Sequence, residues 1–253
     1  MNKHLLLFVC GMILIGCTSE PLKTTQLFLS EADISSCQEV ACPEVSVQYV
    51  HVEGDDEGVD LINTQLKISV IDALYLGDSA EGSPADSIEE AVSDFIKEYR
   101  MENAEFPGMA AEYFAEVDQE VSLSSSEIIS VEERLSMYTG GAHGYTAATY
   151  LNFDRNTGAQ LISLELFENP SAAMQIIEGH FRSEQNIAKN ESINSTGFWF
   201  ENDTFALPES IGLTKKDLIL HYNAYEIASY AEGPITVKIP LLALDGQLFF
   251  SVE

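Results

Sequence analysis

From Tyr113 onward apolar residues recur at every second position through four segments, YFAEVDQEVSLSS, EIISVEERLSMYTGG, GYTAATYLNFDRNTG and AQLISLEL. A period of two sends successive side chains to opposite faces of an extended chain, so each segment reads as a strand with one buried face. Ser-Ser, Gly140-Gly141 and Asn156-Thr157-Gly158 stand between them. These are residues that turn a chain tightly, glycine because positive φ costs it nothing. Strands joined by such short turns form an antiparallel meander.

Around this block the period changes. Val59, Ile62, Leu66, Val70, Ala73 and Leu74 fall at steps of three and four, as do Ile88, Ala91, Val92, Phe95, Ile96 and Tyr99. Each set lines one face of an amphipathic helix, the second started by Asp86 or Ser87 as cap. GDSAEGSPADS between them is a loop. PEVSVQYVHV ahead of the first helix alternates as a strand, and an acidic turn, Glu53 to Glu57, follows it. Met174, Ile177 and Phe181 mark a third helix capped by Ser171. FWFENDTFALPESIGL reads as one or two short strands, and 218–222 and 235–239 as two more around a helical turn at Tyr225 to Tyr230. Strands and helices in blocks predict an α+β fold, a predominantly antiparallel sheet packed with two to three helices.

The N-terminus reads as a leader. Met1 to His4 is short and basic, and Leu5 to Ile15 is an apolar run of eleven residues, too short to span a bilayer. It ends in Leu14-Ile15-Gly16-Cys17, which resembles a bacterial lipobox, so Cys17 is the expected acylation site. Acyl chains there would hold the protein to a membrane on its extracytoplasmic side, each buried methylene contributing about 0.8 kcal/mol. Cys10 leaves with the leader, and Cys37 and Cys42 remain as a pair in an oxidising compartment. A disulfide between them is favoured, since neither a Cys-x-x-Cys redox motif nor two further zinc ligands lie nearby. The expected organisation is a signal peptide at 1–16, an acylated tether at 17–41, an N-terminal region at 42–138 and a C-terminal region at 139–253. The last two form one compact unit.

Twelve basic residues face forty-one acidic ones, a formal charge of −29, and loss of a leader that holds Lys3 and no acid makes the remainder more negative still. Such a chain lacks the clustered Lys and Arg that bind phosphates, which excludes nucleic acid, and it attracts cationic partners. The acidic turn lacks the spaced oxygen ligands of a calcium loop. His51, His143, His180 and His221 are dispersed, with no His-Glu-x-x-His pattern, no Gly-x-Ser-x-Gly elbow and no phosphate loop. Carboxylate pairs such as Asp118 and Glu120 are weak pointers in so acidic a chain. No catalytic residue, metal or cofactor is expected. Tyr222, Tyr225 and Tyr230, close to one another in sequence, are the candidate binding surface, with burial in the core as the competing reading.

Two stretches carry a resemblance. YTGGAHGYTAATYLNFDRNTGAQLISLELF and, some fifty residues on, YNAYEIASYAEGPITVKIP resemble the C-terminal domain-of-unknown-function family on the extracytoplasmic side of the lysozyme-responsive anti-sigma factor RsiV. CPEVSVQYVHVEGDDEGVDLINTQL is similar to its usual companion, the PdaC-type domain that precedes the catalytic module of some peptidoglycan deacetylases. Ala224 and Ser229 stand where the family often has proline, and Glu165 where it often has aspartate. The resemblance implies a sensor or binding portion without a catalytic module, recognising a cationic envelope protein of lysozyme type or a cell-wall glycan. An envelope polysaccharide hydrolase or deacetylase, or a lipid-anchored inhibitor or scaffold, are the alternatives. Within the family string Gly140 and Gly141 are expected to turn the chain and His143 to begin the return strand.

Overall fold

In the computed structural model, residues 21–38, 42–79, 82–106 and 111–251 are described. The leader and Cys17 lie outside them. Among the described residues nine strands form two sheets: β1 (Thr24–Ser30), β2 (Glu44–Val52), β3 (Phe114–Ser124), β4 (Ile128–Tyr138), β5 (Tyr145–Asp154) and β6 (Gln160–Leu161) in one, β7 (Ile211–Leu213), β8 (Asp217–Tyr222) and β9 (Ile235–Pro240) in the other. Strands follow chain order in both sheets, and only β2 and β3 run parallel. That one parallel step holds α1 (Glu57–Ala73) and α2 (Ile88–Glu105), as a crossover must. A third helix, α3 (Pro170–Glu184), packs against the smaller sheet. The fold is α+β.

Local chemistry sets the helix starts. Asp56 accepts from the Val59 N–H at 3.0 Å, so the acidic turn caps α1 and places Glu57 and Asp60 against its positive end. Ser87 accepts from the Glu90 N–H, while the Glu90 carboxylate accepts from the Asp86 N–H. The α3 start differs from expectation: Asn169, not Ser171, caps it, and Pro170 fills the first position, where no N–H is needed.

The tether expected through residue 41 is corrected by β1. Residues 24–30 pair with β2 over seven positions, Thr24 opposite Val52 and Ser30 opposite Ser46. The strand lies at the sheet edge with most side chains exposed, so TTQLFLS has no buried face to impose a period of two. Two short 3-10 turns follow, and Cys37 and Cys42 are joined as a disulfide with Cα atoms 5.5 Å apart. AQLISLEL is also less extended than its alternation predicts: after Leu161 it becomes a 3-10 turn over Ser163–Leu166. FWFENDTFALPESIGL contributes only β7.

Burial follows the pleat. Ala115, Val117, Ile129, Val131, Met137, Leu151 and Phe153, all odd-numbered, meet α1 and α2. Within this face Gln119 and Glu133 are buried together. Gln119 donates to a Glu133 oxygen at 2.7 Å and to the Leu66 carbonyl at 2.9 Å, and Ser69 donates to the other Glu133 oxygen. Even-numbered residues of β3, β4 and β5 face the opposite way. There the small sheet covers one end of the large one: Asn152 donates to the Ile211 carbonyl and the Leu213 N–H to Ser130 Oγ. Leu123 and Ile128 join α3 and strands β7 to β9 in a separate core. The other end of that face stays open.

Candidate functional site

The open end carries charge. Register sets Asp118 on β3 directly opposite Arg134 on β4, and Glu120 opposite Glu132. Two like charges facing across a ladder repel unless a cation intervenes. Arg134 supplies it, lying 3.8 Å from Asp118 and 3.9 Å from Glu120 and donating through Nε to Glu132 at 3.2 Å. Tyr150 donates its hydroxyl to Glu132, and Gln48 its amide to Asp118. Asp118 and Glu120 therefore form a network around one guanidinium.

Over this floor the small sheet raises a wall. His221, Asn223 and Pro234 complete a cleft of about 370 Å³ with Glu116, Asp118, Glu132, Arg134, Thr146 and Ala148. Three carboxylates face one guanidinium in its lining. His221 adds no compensating charge at neutral pH: burial pushes its imidazole below the usual range, against the opposing pull of Glu132 and Asn223. Asn223 fixes the wall, accepting from the Ala148 N–H at 2.8 Å and donating to the Ala148 carbonyl at 3.0 Å.

The aromatic candidates separate. Tyr222 is 1% exposed and sits in the C-terminal core against Phe181 and Phe200, its hydroxyl donating to the Ala206 carbonyl. It is corrected from binding surface to core, because β8 turns even-numbered Leu218, Leu220 and Tyr222 inward together. Tyr225 and Tyr230 are 60% and 41% exposed and stack on each other at 5.4 Å. His143 stacks on Tyr230 at 4.1 Å. In place of the expected helical turn, Tyr225 has a φ of +71° and a single 3-10 turn spans Tyr230–Glu232.

The Gly-Gly string lies in the turn between β4 and β5. Gly140 and Gly141 have φ of +99° and +89°, and Tyr138 donates its hydroxyl to the Gly141 carbonyl. His143 is still in the turn, and the return strand begins at Tyr145. Its Nδ1 lies 2.8 Å from the Gly144 carbonyl, an acceptor only, so that nitrogen carries the proton. None of the three stacked rings lines the cleft, whose Thr146 and Pro234 come two residues after Gly144 and four after Tyr230 in the chain. Among the described residues no group of three or more His, Cys, Asp and Glu could hold a metal ion, and no helix is long and apolar enough to cross a membrane.

Comparison with known families divides the chain at this same place. Residues 36–146 match the family described as Deacetylase PdaC, and residues 164–241 match the one described as Protein of unknown function (DUF3298). The chain carries a PdaC region followed by a DUF3298 region. The cleft lies between them: its acids and Arg134 belong to the PdaC region, His221, Asn223 and Pro234 to the DUF3298 region. A crystal structure of a DUF3298 family member from Bacteroides fragilis superposes with a TM-score of 0.69 at 22% identity, over 93% of this chain and 96% of that one. A DUF3298 family protein from Pseudomonas aeruginosa gives 0.61 at 17% identity, over 91% and 94%. At such identities the likeness is one of fold. No curated protein matches the sequence.

Proposed function

We propose that the chain is a non-enzymatic, lipid-anchored binding protein of the cell envelope, with the cleft between its PdaC and DUF3298 regions as the site. Its ligand is a cationic protein, one of lysozyme type being the first to try. The observation that carries this reading is the cleft itself, with Glu116, Asp118 and Glu132 against Arg134 alone. The charge of −29 steers cations toward it, and the outer faces of the Tyr225, Tyr230 and His143 stack offer aromatic surface to an arginine or lysine. The lipobox at Cys17 and the resemblance to the extracytoplasmic domain of RsiV support the address. A wall glycan is the second reading, favoured by the same exposed rings, which can stack on a sugar face.

Titration calorimetry with a lysozyme, and separately with peptidoglycan fragments, tests both. Binding to the lysozyme at low ionic strength that weakens with salt supports the first reading; no heat at low ionic strength removes it. Turnover of the fragments would instead make the protein an envelope hydrolase or deacetylase. The address has its own test, since Cys17→Ala is expected to release the protein from membranes, and continued retention would refute the anchor.

A further inference from the structure

The edges of the two sheets are guarded unequally. Along β5, Asn223 pairs with Ala148, Ser210 Oγ accepts from the Tyr150 N–H, and β6 covers Asn152 and Phe153. The outer strand β9 carries Lys238 and Pro240, residues that discourage edge pairing. At the other end of the large sheet, β1 has neither device. Its seven residues, TTQLFLS, hold no charge in a chain with forty-one acids, and Phe28 is 70% exposed.

Register shows which peptide groups β1 presents outward. Lys23 accepts from the Glu53 N–H at 2.9 Å, so odd-numbered residues bond to β2 and even-numbered ones point away. Ser30 agrees: its outward N–H donates to Asp33 at 2.9 Å. Among the described residues no hydrogen bond reaches the outward N–H of Gln26 or Phe28.

We propose that two copies of the chain join through β1, antiparallel about a twofold axis at Leu27, making the two six-stranded sheets continuous. The occupant is a second copy because the segment is complementary to itself. With Leu27 opposite Leu27, the outward residues Gln26 and Phe28 become hydrogen-bonded pairs, and Lys23 of each copy falls opposite Glu31 of the other. Glu31 stands just past the strand, at the start of the first 3-10 turn, with one carboxylate oxygen held by the Val45 N–H. No other register aligns both charges. A single edge pairing buries little surface, so the association is weak and is best read by trapping.

Leu27→Cys in the full chain, exposed to a mild oxidant with the wild type as blank, is the test. Disulfide-linked dimer is expected for it at least about tenfold above the blank, because like residues meet only at the axis. Thr25→Cys and Leu29→Cys should each stay at the blank alone and cross-link when mixed. Adding Phe28→Lys to Leu27→Cys should abolish the dimer, with circular dichroism confirming a folded chain. Leu27→Cys at the level of the blank, or Thr25→Cys cross-linking as well alone as Leu27→Cys, overturns the proposal. The second result would mean unspecific collision or pairing in another register. None of these outcomes depends on what the cleft binds.

Discussion

Glu133 is the residue most at odds with its surroundings. Burial raises its carboxyl above the usual range, reinforced by Asp72, although Gln119 and Ser69 donate to it. An acid whose folded value is raised stabilises the fold below the ordinary carboxylate range and loses that contribution as pH climbs through the raised value. Glu133→Gln keeps an acceptor for Gln119 and can donate to Ser69 Oγ, so it should match the wild type near pH 4 and melt several degrees higher near pH 8. Melting curves across that range check it, and equal pH slopes would contradict it. Gly158 is a second strict position. Its φ is +71°, and an added Cβ would lie 2.1 Å from the Gly58 carbonyl oxygen, where the 156–158 turn rests on the first turn of α1. Gly158→Ala should cost at least about 2 kcal/mol in urea unfolding. Gly141→Ala, at a similar φ with nothing within 4 Å, should cost about 1 kcal/mol. Asn-Thr-Gly announced the turn in the sequence, yet its contact with an element a hundred residues earlier left no local pattern.

At the scale of elements, legibility tracked burial on one face. Strands β2 to β5 and all three helices have a buried face, and their periods of two or of three and four disclose them. Strand β1, exposed along most of its length, looked like a tether for want of that imprint. Tyr222 and Tyr225 stand three residues apart in one aromatic-rich segment, and only the end of β8 between them separates a core ring from a surface one. The segment after β8 depends on Asn223. Asn223→Ala removes both bonds to Ala148 and should cost about 2 kcal/mol, with faster hydrogen exchange at the Ala148 amide as its local signature. The Cys37 to Cys42 link closes a short loop that Arg100 of α2 also holds, through the Ser36 carbonyl and Cys42 Sγ. Reduction should lower unfolding stability by roughly 2 kcal/mol, read as a shift in the urea midpoint with and without a thiol reductant.

At the scale of the molecule, the site arises from incomplete coverage. The three-stranded sheet and α3 pack over one end of the large sheet, and the other end keeps its acids beneath a wall of His221, Asn223 and Pro234. The sequence showed alternation in β3 and β4 and an excess of acid, but which acids share a cleft depends on the register that sets Asp118 against Arg134 and on a second region far along the chain, at His221, Asn223 and Pro234. Glu116 and Asp118 are the residues to change, since Glu132 holds both Arg134 and Tyr150, and amide replacement at Asp118 keeps an acceptor for Gln48. The decisive measurement is the affinity of a lysozyme for the wild type and for Glu116→Gln with Asp118→Asn, titrated from about 20 mM to about 300 mM salt. A cleft that binds cations predicts wild-type binding that falls at least about tenfold over that range and a variant about tenfold weaker at the low end, with a shallower salt dependence. Equal affinity of the two proteins, or no binding by the wild type at low salt, would contradict it.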